Sequence, residues 1–237
     1  MKTMTPKAIP NNERLIFALD VPDLASAERL IEALGDSVVF YKLGLEFFLS
    51  GHYFELAETL KSKGKKIFAD LKLFDIPPTV GRAVAQLAKR DVDFVTVHGN
   101  DAMLASAVAN AGNMGILAVT ALTSLDRGDL DDLGFSCDVE SLVLSRAKRA
   151  LALGCHGVIS SGLEVQALRE SVDHALTVIC PGIRPVDNVD DQKRTMSASQ
   201  AFAAGADYVV VGRPIRDAAD PQQAALAIQQ EISNFFN

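Results

Sequence analysis

The sequence predicts a single-domain α/β protein, a closed (β/α)8 barrel of the TIM type. Three observations carry that expectation. Eight short apolar runs alternate with longer stretches of helical period along the chain. The units begin about every 28 residues, as suits a barrel of roughly 250 residues. The bodies of the runs are near-continuously apolar, as parallel strands buried on both faces must be, while polar side chains gather where the runs end. An open doubly wound sheet is the alternative, because alternation alone does not close a sheet.

The strands are read, in order, at Leu15–Leu19, Val38–Lys42, Lys66–Leu71, Phe94–His98, Ile116–Leu122, Gly157–Ser160, Leu176–Cys180 and Tyr208–Gly212. Between them, Ala27, Leu30, Ile31 and Leu34 repeat at i, i+3, i+4, i+7, and so do Val80, Ala83, Val84 and Leu87. The last helix shows the same stripe with Ala225, Ile228 and Ile232, and Asp220-Pro221 starts it as a cap followed by proline. Gly35, Gly64, Gly154 and Gly205 stand where helices should stop before the next strand. The segment before the first strand, MKTMTPKAIPNN, is polar and reads as a flexible tail over residues 1–12, leaving 13–237 for the barrel.

Composition narrows the functional classes. Of 237 residues, 49% are apolar and 22% charged, a balance that fits a folded core and opposes disorder. No apolar run approaches the ~20 residues that span a bilayer. The net charge of −7 argues against nucleic acid as a partner. Cys137, Cys155 and Cys180 are odd in number and form no C-x-x-C, so free thiols in a reducing cytoplasm are expected.

A barrel of this kind carries its chemistry at the C-terminal ends of its strands, often with phosphate after strands seven and eight. Those ends hold Asp20, Lys42, Asp70 with Lys72, His98, Thr123 with Ser124, Ser160, Gly182 with Arg184, and Gly212 with Arg213. An acidic protein that places Lys42, Lys72, Arg184 and Arg213 on one rim is suited to an anionic small molecule. The densest cluster is Asp70-Leu71-Lys72-Leu73-Phe74-Asp75. Strand alternation points Asp70 and Lys72 the same way, beside Lys42 of the neighbouring strand. Amines flanked by carboxylates stay charged, which suits a proton donor or fixed cation rather than an amine nucleophile. A plain salt-bridge network at the rim remains the alternative.

The second cluster is Pro181-Gly182-Ile183-Arg184-Pro185 with Val211-Gly212-Arg213-Pro214. Glycines just past a strand let backbone N–H groups approach a phosphate, and the arginines add two-pronged charge. Gln192, in the long polar loop after Arg184, could reach over a ligand. Two ordinary turns are the alternative. Thr123 and Ser124 suit the mixed donors and acceptors of a uracil-like edge, or simply form a turn. His98 reads as a structural hydrogen-bonding residue. Asp70, Asp75 and His98 are the candidate metal ligands, but no H-x-H or H-E-x-x-H occurs and the lysines would repel a divalent ion, so no metal is expected. No G-x-G-x-x-G or P-loop pattern is present.

The run Asp70-Leu71-Lys72-Leu73-Phe74-Asp75-Ile76-Pro77-Pro78-Thr79 resembles the signature of the bacterial-type orotidine 5′-phosphate decarboxylases. The resemblance continues in order with Ala18-Leu19-Asp20, Tyr41-Lys42, Val97-His98, Leu122-Thr123-Ser124, Pro181-Gly182-Ile183-Arg184-Pro185, Asp191-Gln192 and Val211-Gly212-Arg213-Pro214-Ile215. D-x-K-x-x-D alone is shared with related phosphosugar enzymes; the ordered set is far more specific. The resemblance implies decarboxylation of orotidine 5′-phosphate to uridine 5′-phosphate and CO2, the last step of pyrimidine nucleotide (UMP) biosynthesis, with no cofactor. It implies that Lys72 protonates C6 within a Lys42–Asp70–Lys72–Asp75 charge network, and that Asp70 lies against the substrate carboxylate. It further implies a homodimer in which Asp75 and Thr79 cross the interface into the partner's site. Asp20 and Lys42 would bind the ribose, and Thr123 and Ser124 the pyrimidine side. Pro181 would line the substrate site, and Arg184, Gln192, Gly212 and Arg213 would hold the phosphate. The rival readings are a metal-dependent phosphosugar decarboxylase or aldolase, a Schiff-base aldolase using Lys72, and a non-catalytic nucleotide-binding barrel. The first needs a metal-binding acid near the end of strand two, where this chain has Lys42, with Glu46 beyond it.

Overall fold

Eight parallel strands close on themselves in sequential order in the computed structural model, which describes residues 7–98, 100–184 and 196–236. They are β1 (Leu15–Ala18), β2 (Phe40–Leu43), β3 (Lys66–Leu73), β4 (Phe94–Val97), β5 (Gly115–Val119), β6 (Gly157–Ile159), β7 (Thr177–Cys180) and β8 (Tyr208–Val211). Closure is made by β1 pairing with β8, Leu15 opposite Val209 and Phe17 opposite Val211. The doubly wound alternative, which leaves two sheet edges unpaired, is thereby excluded.

The helices are α1 (Leu24–Leu34), α2 (Leu45–Leu49), α3 (Tyr53–Ser62), α4 (Pro77–Ala88), α5 (Asp101–Ala109), α6 (Arg127–Asp132), α7 (Val139–Ala152), α8 (Val165–Ser171), α9 (Ala198–Ala204), α10 (Arg213–Arg216) and α11 (Pro221–Phe236). Their starts are set by local chemistry. Asp23, Asn100, Asp138 and Ser197 each accept a backbone N–H from the first turn of α1, α5, α7 and α9. Gly205 ends α9 in the left-handed conformation that a side chain would resist.

Strand alternation divides the core into two shells. Ile16, Phe40, Phe68, Phe94, Leu117, Ile159, Ile179 and Tyr208 fill the barrel axis. Phe17, Tyr41, Ile67, Val95, Ile116, Val158, Val178 and Val209 point outward into the helices. The charged side chains of the described strands, Lys42, Lys66, Asp70 and Lys72, therefore stand toward the two open ends of the cylinder.

Two sequence expectations shift. The run read as a strand over Ile116–Leu122 leaves the sheet after Val119, because β6 ends at Ile159 and offers no further ladder. The carbonyl of Thr120 is instead taken by the Arg146 guanidinium at 2.5 Å, and its hydroxyl donates to the Ile159 carbonyl. The flexible tail expected over residues 1–12 is held from Lys7 onward. The Lys7 ammonium donates to Asp207, to the Leu176 carbonyl and to Thr177, and Ile9 packs against the axial core. Arg14 and Arg169 converge on the same Asp207 corner, where a cavity of ≈ 500 Å³ is walled by Phe202, Phe235 and Phe236. The amines there are engaged by Asp207 and backbone carbonyls, so this end of the barrel reads as a clamp on the chain's N-terminal segment.

Candidate active site

At the opposite end, the strand termini bring four charged side chains into one line. Lys42 sits 3.0 Å from Asp20 and 3.3 Å from Asp70. The Lys72 ammonium donates to both carboxylate oxygens of Asp70 at 2.8 Å. The row is therefore Asp20–Lys42–Asp70–Lys72. Burial opposes charge on Lys42, but Asp70 and Asp20 outweigh it and hold the amine above its ordinary pKa. Burial likewise pushes the Asp70 carboxyl up, and Lys42, Lys72 and the hydroxyl of Thr96 outweigh that to leave it below the carboxylate range. Lys42 and Asp70 thus keep opposite charges across neutral pH while almost wholly buried.

The cluster owes its shape to an irregularity in β3. Ala69 pairs with Val95 and Leu73 with Val97, so three residues of β3 face one residue of β4. Lys72 takes up the surplus with φ +46°. The two extra residues preserve the inside–outside parity, so Leu71 and Leu73 still pack outward. The juxtaposition of Asp70 and Lys72 read from alternation holds, on a bulged strand rather than a straight one.

Two adjoining cavities flank the row. One, ≈ 120 Å³, is walled by Phe68, Val119, Ala121, Leu122, Ile159 and Val210, with Thr123 at its side. The other, ≈ 300 Å³, is walled by Gly182, Arg184, Gly212, Arg213 and Arg216, with Asp20 at its side. Lys42, Asp70, Pro181 and Val210 belong to both. A small apolar chamber thus opens past a lysine–carboxylate row into a cationic one. Arg184 is held at the base of the loop, where its N–H donates to the Met196 carbonyl at 3.0 Å.

Most expected site residues meet here: Asp20, Lys42, Asp70, Lys72, Thr123, Pro181, Arg184, Gly212 and Arg213. Ser124 is exposed and Ser160 buried, and neither lines either of these two cavities. His98 lines neither cavity; burial, then Arg146 and Lys72, lower its pKa, and its ring stands edge-on to Phe74. Gln192 lies outside the described residues. Asp75 does not enter the row in the single chain: its carboxylate accepts the N–H of Ile76 at 2.6 Å. Thr79, in the first turn of α4, accepts from Arg82. Among the described residues, no three His, Cys, Asp or Glu side chains converge as a metal site requires.

Sequence reasoning missed three contributors. Thr96 carries no motif and is recognisable only once β3 is seen to bulge. Arg216 enters the cationic chamber from α10 while its guanidinium also donates to the Asp20 carbonyl. Gly44 makes room for the row: a Cβ there would stand 2.8 Å from an Asp20 oxygen and 3.4 Å from the Lys42 nitrogen.

Fold and site together define a TIM-barrel protein whose mouth joins a small apolar chamber to a cationic one across an ammonium–carboxylate array. The chain belongs to the orotidine 5′-phosphate decarboxylase / HUMPS family, whose model matches residues 13–228. It is 62% identical over 235 residues to the orotidine 5′-phosphate decarboxylase of Methylococcus capsulatus, covering 98% of this chain and 97% of that one. It is 49% identical to the Stenotrophomonas maltophilia protein of the same name, covering 97% and 96%. Among solved structures it resembles the orotidine 5′-phosphate decarboxylase of Lactobacillus acidophilus, with TM-score 0.84, 36% identity, and 95% of this chain and 100% of that one covered.

Proposed function

We propose that the protein decarboxylates orotidine 5′-phosphate to uridine 5′-phosphate and CO2 in pyrimidine nucleotide synthesis. The observation that carries this reading is the Lys42–Asp70–Lys72 row lying between an apolar chamber and a cationic one. The phosphate is assigned to Arg184, Gly212, Arg213 and Gln192, and the ribose hydroxyls to Asp20 and Lys42. The pyrimidine is assigned to the apolar side, with Pro181, Thr123 and Ser124 along its edge.

Loss of CO2 from C6 leaves an electron pair in the plane of the ring, outside its π system. Decarboxylases commonly use a cofactor as electron sink; here the assigned stabiliser is the Lys72 ammonium, fixed by Asp70 before reaction begins. The C6–carboxylate bond breaks, the pair stays on C6, and the Lys72 ammonium delivers a proton to it. Asp70, close to the departing carboxylate, repels it in the bound substrate, and that repulsion fades as neutral CO2 leaves. Apolar walls keep water away and strengthen each of these interactions.

Asp75, the remaining member of the Lys42–Asp70–Lys72–Asp75 network, is assigned to a second copy of the chain. Phe74 and Ile76, on either side of Asp75, are 69% and 62% exposed, and Leu45 and Leu49 of α2 on the neighbouring unit are exposed as well. An apolar rim of this size around a carboxylate favours a homodimer in which Asp75 and Thr79 reach the partner's site. No described helix is long and apolar enough to cross a membrane, and the three cysteines are free, which supports a cytoplasmic location.

A metal-dependent phosphosugar reaction is disfavoured by the ammonium of Lys42 at the end of β2, where such an enzyme needs an acid. The deciding experiment follows ultraviolet absorbance of orotidine 5′-phosphate with purified protein in excess chelator. Full turnover is expected; absence of turnover, or its loss on chelation, refutes the reading.

A further inference from the structure

One residue of β4, Thr96, stands opposite three of β3, since Ala69 pairs with Val95 and Leu73 with Val97. Lys72 absorbs the excess by adopting φ +46°, a conformation that crowds any residue bearing a Cβ. A bulge of this kind also takes backbone groups out of the regular ladder, and each needs another partner. The Lys72 N–H finds one in the side chain of Thr96, donating to Oγ1 at 2.9 Å. The same hydroxyl donates its proton to Asp70 Oδ1 at 2.9 Å. Thr96 is fully buried, and its β-branched side chain has little rotamer freedom.

A hydroxyl has one proton and two lone pairs, so it can serve both roles at once. The result is a closed circuit. Lys72 backbone N–H binds the Thr96 hydroxyl, the hydroxyl binds Asp70, and Asp70 binds the Lys72 ammonium. We propose that Thr96 is a positioning residue: its hydroxyl holds the left-handed backbone of Lys72 and the Asp70 carboxylate in one loop, and so fixes the direction in which the ammonium faces the reacting carbon. Thr96 lines neither cavity, so it acts through Asp70 and Lys72 alone. The inference rests on the assignment of Lys72 as proton donor.

The test compares Thr96→Val, which keeps the shape and removes the hydroxyl, with Thr96→Ser, which keeps the hydroxyl. Thr96→Val should lower kcat about 100-fold, as misplacement of a catalytic group by an ångström does, and leave KM and the affinity for uridine 5′-phosphate within about threefold. Thr96→Ser should keep kcat within about threefold of wild type. Hydrogen exchange supplies a readout independent of turnover. The Lys72 amide, close to the mouth, should be as protected as the amides of the β3 body in the wild type and at least about tenfold less so in Thr96→Val. Wild-type kcat in Thr96→Val, an equal loss in Thr96→Ser, or a wild-type Lys72 amide that exchanges freely would each overturn the proposal. If Thr96→Val does not fold, the serine variant and the wild-type amide decide it. If the wild type has no decarboxylase activity, it is the proposed function that fails, and exchange at Lys72 still judges the clamp.

Discussion

The charge row depends on individual side chains that would repel or neutralise one another anywhere else. Burial alone would strip charge from Lys42 and Asp70, yet each holds the other ionised, with Asp20 and Lys72 at the ends. Gly44 adopts an extended backbone that any residue can take, so its lack of a side chain matters for space and not for conformation. Gly44→Ala would place its Cβ 2.8 Å from an Asp20 carboxylate oxygen, and the Asp20 side chain, which binds Lys42, would have to shift to make room. We expect KM for orotidine 5′-phosphate to rise about tenfold or more with little change in thermal midpoint, a local overpacking effect. Steady-state kinetics alongside a melting curve measure it; an unchanged KM would show that Asp20 and Lys42 do not hold the ribose.

At the level of elements, much of the site was legible before any coordinates. The eight apolar runs name the strands, and the end of a run names the mouth, so Lys42, Asp70, Lys72 and Arg213 are found from periodicity plus the rule that chemistry sits at strand C-termini. Three kinds of information were not legible. Strand ends depend on the neighbour's length: Thr120, Ala121 and Leu122 look like β5 but leave it because β6 stops at Ile159. The bulge in β3 depends on pairing with β4, and no residue between Ala69 and Leu73 is a glycine that would announce it. Thr96 reads as one more β-branched strand residue, since its part in the site exists only across that irregular pair. The anchoring of Lys7 is not legible for a similar reason. Lys7 looks like solvent-exposed charge until Asp207, 200 residues away, is seen to receive it.

At the scale of the whole molecule, one end of the cylinder clamps the chain's beginning and the other holds the chemistry, with an apolar axis between them. In the proposed reaction the site of a single chain lacks the Asp75 carboxylate, which lies between the exposed Phe74 and Ile76. A two-fold dimer would complete two sites at once, so Lys72→Ala and Asp75→Ala variants, each inactive alone, should complement on mixing. Statistical exchange of subunits gives about a quarter of wild-type activity, because half of the dimers then carry one intact site of two. No recovery after subunit exchange would confine Asp75 to its own chain. The claim on which all of this rests is that the Lys72 ammonium stabilises an in-plane carbanion at C6. The most direct measurement is exchange of the C6 hydrogen of uridine 5′-phosphate in deuterated water, followed by proton magnetic resonance, which forms that carbanion without any CO2. The account predicts exchange by the wild type and none detectable with Lys72→Ala; equal exchange by both would contradict it.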